Sequence, residues 1–107
     1  MADTINSPAQ VYPDSKVLTS VLTTTKASVV STVFACNQST TKTTVRVSVA
    51  KNGEADARKQ YLYYDTEVPA NDSLAFTVGV TLAIGDVIRV YSDNGMVSFN
   101  VFYLGVS

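Results

Sequence analysis

The stretch that most restricts the fold runs from Asp86 to Leu104, DVIRVYSDNGMVSFNVFYL. Val87, Arg89 and Tyr91 alternate with Ile88 and Val90; after a break, Val97, Phe99, Val101 and Tyr103 alternate with Ser98, Asn100 and Phe102. Successive side chains of an extended strand point to opposite faces, so a period of two puts one set on a core and the other toward water. Between the two runs stands Asn94-Gly95, a pair that accepts the positive φ angles of a tight reversal. The stretch reads as one β-hairpin, with the upstream chain expected to complete its sheet and cover its apolar face.

The same period recurs upstream. Val17–Thr24 is rich in β-branched residues, which fit a pleated surface. In Ser28–Cys36 the residues Val30, Thr32, Phe34 and Cys36 share one face. Thr43–Ala50 sets Val45, Val47 and Val49 inward and Thr44, Arg46 and Ser48 outward. Gln60–Val68 carries Tyr61 and Tyr63 on one face, Leu62 and Tyr64 on the other. Leu74, Phe76 and Val78 alternate in the strand after Pro69-Ala70-Asn71-Asp72. The charged segment Lys51–Lys59 opens on the turn pair Asn52-Gly53 and has room for a short helical turn over Glu54–Arg58. About seven short strands without an amphipathic helix predict an all-β chain, a two-layer antiparallel β-sandwich of immunoglobulin-like or jelly-roll-like type over residues 17–107. The alternation leaves the strand order open.

Residues 1–16, MADTINSPAQVYPDSK, differ in character. Two prolines remove backbone donors and favour extended geometry, and no period holds. This segment reads as an extended N-terminal arm whose Ile5, Val11 and Tyr12 anchor it on an adjacent subunit. With the core starting at Val17, the arm is expected to be dispensable for folding.

Composition narrows the function. The 107 residues carry 8 Lys+Arg against 9 Asp+Glu. Such a balance argues against a nucleic-acid partner, because phosphate neutralisation needs a clustered basic surplus. No apolar run of about 18 residues suggests a membrane span, and Met1-Ala2-Asp3-Thr4 lacks the basic start of a secretory signal. Charged residues make up only 16% of the chain, against about 25% in an ordinary soluble domain. Ser, Thr, Asn and Gln must supply the polar surface, and neutral polar groups cost less to desolvate than charges do. That suits a protein packed against neighbours.

The residues that carry chemistry are few. The chain has no histidine and one cysteine, Cys36, which removes the commonest general base and the usual zinc donor sets. Cys36 closes an apolar run and reads as a small buried hydrophobe. Asp65 and Glu67 stand one strand face apart, but a domain this small has little room for a glycan cleft. Calcium at Asp86 or Asp93-Asn94 would lack the dense alternation of oxygen ligands such loops use. No catalytic residue and no cofactor is expected. The tyrosines remain: Tyr61, Tyr63 and Tyr64 on one strand offer large apolar bodies with polar tips, a contact surface for protein or sugar.

Four segments also form a recognisable series: Cys36-Asn37-x-Ser39, then YLYYD with VPANDS (Tyr61–Asp65 and Val68–Ser73), then TLAIGDVIRVY (Thr81–Tyr91), then SFNVF (Ser98–Phe102). The series resembles a group of small all-β proteins among the virion components of tailed bacteriophages. The resemblance implies a non-enzymatic part repeated in the particle and assembled in the host cytoplasm. It does not place that part on the head or on the tail; the leading expectation is a capsid decoration (cement) protein, a homo-oligomer with a trimer as the expected form, bound to the major capsid protein. A tail component (baseplate, collar or fibre attachment) and a carbohydrate-binding adhesion module are the alternatives.

Overall fold

The computed structural model describes residues 4, 5 and 7–105, with no account of the side chains of Thr4 and Ile5. Among the described residues nine strands follow one another: β1 (Thr4–Ile5), β2 (Ala9–Val11), β3 (Thr19–Thr23), β4 (Ser28–Asn37), β5 (Thr43–Ala50), β6 (Tyr61–Val68), β7 (Ser73–Leu82), β8 (Val87–Ser92) and β9 (Val97–Gly105). All seven strands expected from the alternation are present, and the two additions, β1 and β2, are short. Sheet I has the order β1-β9-β4-β7, with β2 also on β9; sheet II has the order β3-β8-β5-β6. Every pairing is antiparallel. Since β1 and β2 share one edge, each sheet is four strands wide. From β2 to β9 the chain changes sheet at every step except β5 to β6, and this wrapping is that of a jelly roll.

The core lies between the sheets. Val30, Val33, Ala35, Phe76, Leu82, Val97, Phe99 and Val101 of sheet I meet Leu22, Val45, Val47, Val68, Ile88 and Val90 of sheet II. The stretch taken for a hairpin is divided by this arrangement. Strand β8 pairs with β3 and β5, whereas β9 pairs with β4 and the N-terminal strands. Asn94-Gly95 turns the chain from one sheet to the other. Gly95 takes the positive φ expected, +70°, but the Asn94 amide is used at longer range, donating to Ser39 Oγ at 3.1 Å. The local pattern reports a reversal; the choice of partner belongs to the rest of the chain.

The arm is extended, as expected, but it joins its own sheet. Ala9, Gln10 and Val11 stand opposite Val101, Asn100 and Phe99, and Ala9 and Val11 pack against the core. Pro13 is buried as well. The sandwich therefore begins before Val17, because β9 would otherwise present an open edge.

Bulges decide which side chains share a face. The β4 register shifts between Val30 and Thr32, so Val33 and Ala35 point inward while Phe34, 39% exposed, points out. A continuous alternation had placed Phe34 and Cys36 with Val30; one extra residue reverses every later side chain. Cys36 is accordingly part-exposed and its thiol is free. The outer face of sheet II is not wet throughout. Segment 51–60 folds over its end, where Arg89 Nη1 donates to Glu54 O at 2.9 Å, and Ser48 and Gln60 are buried. Short 3₁₀ turns lie at Lys51–Gly53 and Arg58–Gln60, flanking the segment expected to be helical.

Candidate functional site

Strand β6 carries two register irregularities against β5, one between Val45 and Val47, the other between Val47 and Ser48. At the first, Tyr64 and Asp65 both fall opposite Arg46, and Asp65 takes a positive φ of 53°. A bulge is a device for re-aiming side chains, and here it directs a ring and a carboxylate at one guanidinium. Arg46 Nε meets Asp65 Oδ1 at 2.7 Å and Nη2 meets Oδ2 at 3.4 Å. The Arg46 Cζ lies 4.1 Å from the Tyr64 ring centroid and 4.3 Å from that of Tyr91. The hydrogen bond that Arg46 donates to Asp65 is the main cause of a raised Arg46 pKa. Two aromatic rings and a forked carboxylate occupy this cation within the fold, a geometry suited to Arg and not to Lys.

Tyr61 extends the cluster, with its ring edge-on to Tyr64 at 5.1 Å and 85°. Burial, then a hydrogen bond to Asp56, pushes its phenol up to about 12. Arg58, Tyr61 and Tyr64 line a shallow depression of about 260 Å³. Tyr63 does not belong to this surface. Its ring stacks on Phe76 of the core at 4.2 Å and 29°, since the same irregularities that unite Tyr61 and Tyr64 turn Tyr63 inward. The expected trio is thus an outward pair and a part-buried core ring.

Of the arm residues, Val11 is held by its own core, Tyr12 is 51% exposed, and the Ile5 side chain lies outside the described residues. Asp86, weighed for calcium, accepts hydrogen bonds from the backbone N–H groups of Asn52 and Ala83, each at 2.9 Å. Among the described residues no group of three His, Cys, Asp or Glu could hold a metal ion, and no helix is long and apolar enough to cross a membrane.

A second surface went unnoticed in the sequence. None of the five strands of sheet I contains an Asp, Glu, Lys or Arg. The charges within strands, Arg46, Asp65, Glu67 and Arg89, all lie in sheet II. On the outer face of sheet I, Val29 stands opposite Leu104 and Thr32 opposite Phe102. Phe34 packs edge-on against Phe102, with centroids 5.5 Å apart and planes at 82°. Val29, Phe34 and Phe102 are 38%, 39% and 40% exposed. Ser73, Ala75, Thr77 and Thr81 of β7 flank this stripe on one side, and Ser98, Asn100 and Gln10 on the other. An apolar centre within a polar rim is the anatomy of a protein contact. The absence of charge could have been read beforehand, but only strand order shows that the uncharged segments are neighbours.

The fold and these faces define a jelly-roll module with two outer surfaces of contrasting chemistry, one charged and aromatic, the other uncharged. No protein family, curated protein or solved structure matches the chain. The likeness to virion proteins therefore rests on the sequence segments quoted above.

Proposed function

We propose that the chain is a non-enzymatic structural component of a tailed-bacteriophage particle, a decoration protein seated on the outer surface of the capsid. The observation that carries this reading is the uncharged outer face of sheet I. A face without charge can be withdrawn from water at low cost, and the Phe34–Phe102 pair supplies aromatic anchors of the kind found at interface centres. The anchoring role assigned to the arm passes to this face, because Val11 is already committed to its own core. The quoted sequence segments supply the phage context.

The test is the copy number of this chain in purified particles, by quantitative mass spectrometry against the major capsid protein. A ratio within a few-fold of the shell protein is the expected result. A ratio equal to a single tail ring would transfer the protein to the tail, and absence from the particle would overturn the reading. The depression lined by Arg58, Tyr61 and Tyr64 favours one further reading, glycan adhesion, for which glycan-array binding lost in Tyr64→Ala would be the sign.

A further inference from the structure

We infer that the outer face of sheet I binds the same face of a second copy of this chain, forming a two-fold dimer. The inference rests on that reading in taking this face as the contact surface, and assigns the contact to a second subunit in place of the shell.

Charge selects the occupant. A partner chosen by electrostatics would be met by complementary charges, and the five strands of sheet I offer none. When two such faces meet, no charged side chain of these strands enters the contact. The strand charges Arg46, Asp65, Glu67 and Arg89 stay on the far sheet of each copy.

Shape agrees. The strands of sheet I run from the five residues of the β1 and β2 edge to the 10 of β4 and β7, so at roughly 3.3 Å per residue and 4.8 Å between strands the face covers about 540 Å². Two copies would together bury about 1,100 Å², above the roughly 1,000 Å² that a specific interface needs. Thr32 stands opposite Phe102, between Val29 and Phe34 along β4. A two-fold axis lying in the plane of the contact, across the strands at the level of Thr32 and Phe102, brings each copy's Phe34 over the other's Val29, the self-matching pattern that an isologous contact requires. The small side chains of Ser73, Ala75, Thr77 and Thr81 on β7 allow the roughly 10 Å approach of packed sheets.

The face contains its own reporter, the only cysteine of the chain. Cys36 lies two residues from Phe34 and opposite Ser98 and Ser73. The experiment combines light scattering after size exclusion with the rate of maleimide labelling of Cys36, on the full chain at rising protein concentration. The wild type is expected to be a dimer whose labelling slows as concentration rises. Phe34→Asp, at an exposed position, is expected to keep its β circular dichroism, weaken dimerisation at least about thirty-fold, and label at one rate throughout. Leu62→Asp, at an exposed position on sheet II, should dimerise as the wild type does. A wild-type monomer would overturn the inference, as would any oligomer, a trimer included, that survives Phe34→Asp. Should Phe34→Asp not fold, the wild type decides, since labelling independent of concentration overturns the inference. A monomer in solution that is nonetheless abundant in particles would sink self-pairing and leave the virion reading standing, with another protein covering the face.

Discussion

Asn37 and Tyr61 show how single side chains work in a molecule with few charges. Asn37 is buried, and its Nδ2 donates toward the carbonyls of Thr41, Val68 and Pro69 at 2.9, 3.2 and 3.1 Å. Its Oδ1 accepts from Ser39 N at 3.0 Å. One amide thus joins the end of β4 to the following loop and to the exit of β6, where unpaired carbonyls would be costly. Here lies the physical content of the Cys36-Asn37-x-Ser39 motif, for Ser39 Oγ in turn donates to Thr41 O at 2.6 Å. Tyr61 reports on the opposite end of sheet II. Its folded pKa of about 12 stands above the unfolded value of 10.0. The protonated phenol is therefore favoured by the fold. Its contribution is complete below pH 10 and is lost as pH rises from 10 to about 12, because the unfolded chain releases that proton first. Ultraviolet titration of the phenolates should show a last tyrosine ionising near the upper limit of this window. Asp56→Asn should lower that value, since it replaces the carboxylate that accepts from the phenol.

At the scale of elements, glycine and the arm bear on stability. Gly95 combines a φ of +70° with a close approach: a Cβ there would stand 2.7 Å from Ser15 N and 3.1 Å from Ser15 Cα. Those atoms are backbone and cannot swing away, so Gly95→Ala should cost about 3 kcal/mol through strain and clash together. Gly79, in the β7 bulge, has a φ of +56° and nothing within 4 Å of a Cβ. Gly79→Ala should therefore cost only about 1 kcal/mol, the strain of the left-handed backbone alone. Urea denaturation of both variants separates the two contributions. The contact between Ser15 and the 93–95 turn also links the arm to the connection between sheets, with Ser15 Oγ donating to Asp93 O at 2.7 Å. Deleting residues 1–16 removes this tie, the β2 pairing and the burial of Ala9, Val11 and Pro13. Thermal melting of the truncated chain should fall by more than about 10 °C. An unchanged midpoint would show that β9 does not need its edge strand.

For the whole molecule, topology governs folding. Only β5 and β6 pair with an immediate neighbour in sequence; every other pairing joins segments separated by at least one sheet crossing. The ends of long loops must meet before such contacts form, which slows the search. Stopped-flow refolding should accordingly fall in the millisecond-to-second range of sandwich proteins and not in the microsecond range of helical bundles. The same wrapping divides the charges between surfaces. One sheet holds Arg46, Asp65, Glu67 and Arg89, the other none, so the molecule acquires one charged outer face and one whose strands carry no charge.

The β class, the seven main strands and the sharp turn at Asn94-Gly95 were legible in the chain because each depends on local properties. Alternation sets a period of two, β-branched residues favour it, and Asn-Gly relieves a reversal. The absence of a histidine was equally plain. Partner choice was not legible, since β8 and β9 are both alternating and only the competition of all strands for two sheets assigns them to different layers. Nor was the face of Phe34, Tyr63 or Cys36, because a single bulged residue inverts the side chains beyond it and leaves no mark in the alternation. The arm's return to β9 depends on an edge that exists only once the sheet has formed. Pairing and register are long-range properties, so the two outer faces emerge only when the strands are placed side by side.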